Sequence, residues 1–225
     1  MNPAICTKSL RKDYHVGNSH VQAVRGVNIA VESGEFLCIT GRSGSGKSTL
    51  LNLLAGLEKP TSGEVLLLGE HIESMTETQR LRFRRSHVGF VFQSYNLLPQ
   101  YSALENVALP LALGGISVRE RDRLAMEMLE MVGLSSHAAH KPSELSGGQQ
   151  QRVGLARAII TKPALVFADE PTGNLDSKTG DEIMQLLIRI FLDWNTTFLL
   201  VTHDPEMRRY TDREIYMLDG QIQSH

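Results

Sequence analysis

Nine consecutive residues, Gly41, Arg42, Ser43, Gly44, Ser45, Gly46, Lys47, Ser48 and Thr49, combine glycines with a lysine and hydroxyls. Their spacing, G-x-x-x-x-G-K-[ST], is that of a phosphate-binding loop. Glycine lets the backbone curl until successive N–H groups point at phosphate oxygens, and a helix beginning there adds the positive end of its dipole. Lys47 would reach the β and γ phosphates, and the Ser48 hydroxyl would face magnesium. A second cluster ends an apolar run: Ala164-Leu165-Val166-Phe167-Ala168 leads into Asp169 and Glu170. Adjacent carboxylates at the end of a buried strand need partners, because a desolvated charge is costly. Beside a phosphate loop, Asp169 fits the magnesium shell and Glu170 fits a group that polarises the attacking water.

These groups need strands and helices to hold them. Apolar runs bounded by glycine or turn residues predict strands at Val27–Val31, Phe36–Thr40, Glu64–Leu68, Val88–Phe92, Ala164–Ala168, Phe198–Thr202 and Ile215–Leu218. Several are nearly continuous in Val, Leu, Ile and Phe, as in parallel strands covered on both faces. Helical spacing appears at Ser48–Gly56, Val118–Val132 and Ser177–Trp194. Between Ser94 and Thr161 no strand pattern stands out, so a mixed α/β core with a helical insertion is expected. Met126, Met128 and Met131 read as core packing.

Composition narrows the partners. Hydrophobic residues make up 41% and charged residues 21%, which excludes wholesale disorder. A net charge of −2 argues against a dedicated nucleic-acid binder. Cys6 and Cys38 are too few and too far apart for a disulfide framework or a zinc site, and read as free thiols in a reducing compartment. Met1–Lys12 carries no signal-peptide pattern. The charge-free stretch Val107–Val118 is too short for a bilayer and contains Pro110, Gly114 and Gly115. Arg80, Arg82, Arg84 and Arg85 read as a solvated helix face, with anionic lipid headgroups as the second reading.

A third motif chooses among nucleotide-binding families. Leu145-Ser146-Gly147-Gly148-Gln149 opens a helical pattern, with Ser146 as N-cap and Val153, Ala156 and Ile160 on one face. Two glycines at a helix N-terminus make a second anion-binding surface. Together with the phosphate loop and the Asp169–Glu170 pair, this run resembles the signature motif of the ATP-binding-cassette (ABC) ATPases, and the resemblance extends along essentially the whole chain. It implies an α/β fold: a P-loop NTPase core of ABC type with an antiparallel β subdomain and an inserted α-helical subdomain. The implied division is one domain over 1–225, with 1–93 and 162–225 as nucleotide-binding core and 94–161 as insertion. By the same resemblance, Gln93 is the glutamine that senses magnesium and water, Gly173-Asn174-Leu175-Asp176 crosses a dimer interface, and His203 contacts the γ-phosphate. Tyr14 stands where the family places an aromatic ring against adenine, with His15 as a neighbouring candidate.

The resemblance implies an ATPase that uses ATP and Mg2+ and forms a head-to-tail homodimer around two ATP molecules. Each site would pair one chain's phosphate loop with the other's Ser146–Gln149. The runs Val88–Gln93, Asn96–Pro99, Ala103–Val107, Asp169–Asp176 and Val201–Asp204 are most similar to the lipoprotein-release and macrolide-efflux branch. That branch implies a separate transmembrane permease, contacted through Ser94–Leu109, and a place on the cytoplasmic face of the cell membrane. An amino-acid-type importer subunit is the alternative. A soluble ABC ATPase acting on nucleic acid is disfavoured, since no heptad run or basic excess is present.

Overall fold

Residues 3–17 and 19–223 are described by a computed structural model; residues 1, 2, 18, 224 and 225 of the expected 1–225 domain lie outside the described residues. The chain divides into two compact units, one holding the chain up to Arg84 and again from Asn195, the other Arg85–Trp194.

In the first unit, β1 (Ile5–Val16) and β2 (Ser19–Val31) form a long antiparallel pair, with Ile5 opposite Val31 and Tyr14 opposite Val21. The other edge of β1 takes β4 (Ser62–Leu67), which in turn pairs with β5 (Glu70–His71). β1 escapes a search for apolar runs because Lys8, Arg11, Lys12 and Asp13 interrupt it; only one face of this antiparallel sheet must be apolar. The second sheet of the unit is built on β3 (Phe36–Thr40). It runs parallel to β8 (Thr197–Val201) and β9 (Arg213–Leu218), and β10 (Gln221–Gln223) closes back antiparallel on β9. Both β3 and β8 are buried along their whole length, which explains their unbroken apolar sequences. Phe36 and Phe198 meet edge-on with centroids 4.7 Å apart. Cys38, inside β3, is buried, and desolvation pushes its thiol up to about 12.

Two helices complete this unit's share. α1 (Lys47–Leu54) buries Leu50, Leu51, Leu53 and Leu54. α2 (Glu77–His87) corrects the expectation of a solvated arginine face: Arg80 is buried against its ion-pair partner Glu77, and Arg84 bonds the Gly56 carbonyl, leaving Arg82 and Arg85 exposed. The reason is the short approach at Gly56, which draws the aliphatic stem of Arg80 inward.

In the second unit, β6 (Val88–Val91) and β7 (Leu165–Asp169) pair in parallel, Val88 opposite Leu165. Between them in sequence come only helices among the described residues: α3 (Ala103–Leu113), α4 (Val118–Met131) and α5 (Gly147–Ile159), with 3-10 turns at Ser135–His137 and Pro142–Glu144. α3 opens with a Ser102–Glu105 capping box. Of the methionines expected in the core, only Met128 is buried; Met126 and Met131 are exposed, because their positions fall on the outer face of α4. α6 (Ser177–Trp194) occupies the span its periodicity predicts. No helix among the described residues is long and apolar enough to cross a membrane.

Candidate nucleotide site

The phosphate loop lies in the first unit, between β3 and α1. Gly41, Gly44 and Gly46 have φ of 151°, 78° and 97°. A Cβ on Gly46 would stand 2.2 Å from the Ala23 carbonyl oxygen, and one on Gly41 2.2 Å from that of Met217. Neighbouring backbone therefore leaves no room for a side chain at either place. Gly44 faces open space and is needed for its conformation alone. Lys47 is buried, and its Nζ bonds the carbonyls of Gly41 and Arg42 at 2.8 and 2.9 Å. The ammonium is thus held within its own loop. Ser45 Oγ is buried with no hydrogen-bond partner, an orphaned polar atom inside the cradle. Arg42, Ser43 and Gly44 are exposed, and Ser48 and Thr49 enter α1 directly after Lys47.

Tyr14, on β1, is half-buried and donates its hydroxyl to Glu58 Oε2 at 2.7 Å. His203 follows β8 and is exposed; the next turn is closed by the Asp204 N–H donating to Thr202 Oγ1 at 3.0 Å.

The second unit holds the remaining groups. Asp169 ends β7, and Glu170 takes a left-handed φ of 45°, rare for a non-glycine residue and typical of functional turns. The Gly173 N–H returns to the Glu170 carbonyl at 3.0 Å. A Cβ on Gly173 would lie 2.9 Å from Gln93 Nε2 and 3.3 Å from Glu170 Oε2, so Gln93, Glu170 and the Gly173 turn are neighbours. Asn174 Nδ2 donates to the Gln93 carbonyl at 3.0 Å. Asp176, expected at a dimer interface, caps α6: its Oδ1 accepts the Thr179 N–H at 3.1 Å. Bonds from Thr179 hold its carboxyl below the usual aspartate range.

Ser146, Gly147, Gly148 and Gln149 start α5 through a reciprocal capping box: Ser146 Oγ accepts the Gln149 N–H at 3.3 Å, and Gln149 Oε1 accepts the Ser146 N–H at 2.9 Å. That second bond orients the amide, so Gln149 Nε2 points to His137 Nε2 at 3.2 Å. Tyr95 stands over the glycines, its hydroxyl 2.9 Å from where a Gly147 Cβ would be.

Sequence reasoning missed several residues that shape the site. Arg157 on α5 donates to the carbonyls of Asn96 and Tyr95 at 2.7 and 2.9 Å, and both acceptor residues have left-handed φ. Gln151 donates to the Pro171 carbonyl at 2.7 Å from a fully buried position. Asn106 bonds Leu98 through both its amide groups. These anchors leave Tyr95, Leu97 and Leu98 half-buried, while Tyr101 is exposed. A buried polar side chain bonding a distant carbonyl has no local pattern, although polar residues among the apolar positions of α3 and α5 were a usable signal.

Comparison with known proteins gives the family. A family model described as ABC transporter matches residues 24–173. A lipoprotein-releasing system ATP-binding protein LolD of Legionella pneumophila (strain Paris) is 45% identical over 223 residues, 99% of this chain and 98% of that one. An ABC transporter ATP-binding protein of Thermotoga maritima is 48% identical over 212 residues, covering 94% and 90%. Among solved structures, the ATP-binding cassette MJ0796, a dimer in a post-hydrolysis state with ADP and Pi, superposes with TM-score 0.92 at 44% identity, covering 98% of this chain and 97% of that one. The mixed α/β fold with its antiparallel sheet is accordingly the expected ABC cassette. On this family match and these near full-length relatives, the chain belongs to the ABC transporter family as an ATP-hydrolysing, nucleotide-binding subunit.

Proposed function

We propose that this chain energises a lipoprotein-release type of transport complex, dimerising around two ATP molecules and driving a separate membrane permease from the cytoplasmic face of the membrane. The observation that carries the reading is its near full-length likeness to a lipoprotein-releasing system ATP-binding protein. The proposed roles are those the motifs imply. Gly41–Thr49 binds the triphosphate through backbone N–H groups and Lys47, with Tyr14 against the base. Glu170 accepts the proton of the attacking water, and His203 holds the γ-phosphate. Ser146–Gln149 and Asp176 act on the nucleotide held by the other chain. Ser48, Gln93 and Asp169 offer a hydroxyl, an amide and a carboxylate, an all-oxygen donor set suited to Mg2+; the ion would neutralise phosphate charge. Residues 94–161 would serve as the helical insertion on the core of 1–93 and 162–225, with Ser94–Leu109 toward the permease.

Glu170→Gln tests the reading. Glutamine keeps the shape but cannot accept the proton, so ATP should remain bound and its trans contacts should appear as dimer stability. Light scattering should find a dimer with ATP and a monomer with ADP or without nucleotide. A dimer independent of nucleotide would overturn the shared-site model. Co-purification of the wild-type chain from detergent-solubilised membranes should bring down a permease with a large extracytoplasmic domain; an amino-acid-type permease would favour the importer alternative instead. ATPase stimulation by DNA or RNA would favour the nucleic-acid reading.

A further inference from the structure

Tyr14 is clamped by side chains that the roles above leave unused. Its hydroxyl bonds Glu58, which lies in the turn after α1, where the N–H groups of Leu57 and Glu58 both return to the Asn52 carbonyl. The same carboxylate forms an ion pair with Lys12 at 3.3 Å. The Lys12 ammonium also donates to the Lys59 carbonyl at 2.8 Å, and it rests over the Tyr14 ring, 5.1 Å from its centroid. Burial first, and the Glu58 bond second, push the Tyr14 hydroxyl above its usual range, while a bond to the Thr49 side chain acts in the opposite sense.

Stacking depends on the orientation of the ring, and a half-buried tyrosine without a tether loses that orientation to rotamer freedom. A tether made before binding removes part of the ordering cost. With Lys12 on one face, a base would use the other. The clamp also fixes distance. α1 begins at Lys47, in the phosphate loop, and the turn that follows it carries Glu58. One short helix therefore ties the ring to the loop that holds the phosphates. Lys12 offsets the carboxylate charge, which would otherwise repel a triphosphate.

We propose that Glu58, held by Lys12, is a positioning residue for Tyr14 and sets the part of nucleotide affinity that depends on the base. This rests on the reading of Tyr14 as the base platform. The test titrates the purified full-length chain with ATP and, separately, with inorganic tripolyphosphate, both with magnesium, by calorimetry. Tyr14→Ala should weaken ATP binding on the order of ten-fold, the loss of a stacked base, and leave tripolyphosphate unchanged. Glu58→Ala should weaken ATP about five-fold, the cost of ordering one untethered side chain on binding, again sparing tripolyphosphate. Tyr14→Phe loses the hydroxyl and with it the bonds to both Glu58 and Thr49, so it should weaken ATP at least as much as Glu58→Ala, and adding Glu58→Ala to it should change little. Glu58→Gln keeps an acceptor and should recover most of the affinity. If Tyr14→Ala weakens ATP but Glu58→Ala does not, the positioning role is overturned and the platform stands. Equal weakening of both ligands by Glu58→Ala would also overturn it, since the effect would then lie in the loop or the fold. If Tyr14→Ala leaves ATP binding unchanged, platform and clamp fall together. Should Glu58→Ala fail to fold, Glu58→Leu, which removes the acceptor at similar volume, takes its place.

Discussion

The phosphate loop and the Ser146–Gln149 run both present glycines at the start of a helix, yet they are held in shape by different forces. In the phosphate loop the backbone itself is unusual: Gly41, Gly44 and Gly46 all have positive φ, and carbonyls of Met217 and Ala23 close on two of them. Around Ser146 the backbone is ordinary. Ser146 has φ −64°, Gly147 and Gly148 need no left-handed conformation, and side chains make the reciprocal cap. What crowds these two glycines is side chain rather than backbone, the hydroxyl tip of Tyr95 at Gly147 and the methyl of Thr179 at Gly148. The first site is rigid by backbone closure. The second is shaped by hydrogen bonds that a substitution can remove singly.

Paired glycine-to-alanine changes give the largest contrast. Gly46→Ala combines a φ of 97° with a Cβ 2.2 Å from a fixed carbonyl, and should cost about 3 kcal/mol or more. Thermal melting should fall by at least about 6 °C at this chain length, with loss of ATP binding. Gly147→Ala should lower Tm by less than about 3 °C, because the Tyr95 hydroxyl is the far end of a side chain, while bulk at the proposed trans contact should still impair hydrolysis. Equal destabilisation by the two changes would erase the distinction.

Ser146→Ala is smaller. It removes the side-chain acceptor of the Gln149 N–H and should cost about 1 kcal/mol, read as a shift in denaturation midpoint at unchanged m-value. Restoring the hydroxyl with Ser146→Thr should recover most of it. A neutral Ser146→Ala would mean that the cap contributes nothing to the shape of the run.

Asp176 carries the smallest effect, visible only in acid. Its folded pKa is depressed, chiefly by the Thr179 hydroxyl and N–H, relative to the ordinary value of 3.8. The stability it adds is present above that value and is lost as pH falls through the lower folded one. Asp176→Asn keeps an oxygen acceptor for the helix cap but removes the proton linkage. Melting curves from about pH 5 to about pH 3 should show a shallower acid decline for the variant than for wild type. Parallel curves would show that the Asp176 cap does not select the ionised carboxylate.

The site was legible wherever function constrains consecutive residues. The proposed motifs Gly41–Thr49, Asp169–Glu170 and Ser146–Gln149 are each contiguous, and a role in which one turn of backbone presents several donors or acceptors to a ligand is a local requirement. The strands β3 and β8 were equally plain, since burial on both faces leaves nothing but apolar residues. β1 was not, because a strand with one solvated face can carry Lys8, Arg11, Lys12 and Asp13 without penalty. Met126 and Met131 misled because a methionine pattern marks a helix face without saying which neighbour covers it. The sequence by itself determined which residues could handle phosphate and in what order they arrive. Only the tertiary structure decided that Lys47 is held by its own loop carbonyls, that Arg157 pins the turn after Gln93, and that Glu58 and Lys12 clamp Tyr14. Each of these depends on a hydrogen bond whose acceptor is fixed by the path of the backbone or by a residue distant in sequence, and residue spacing carries no record of where the chain returns.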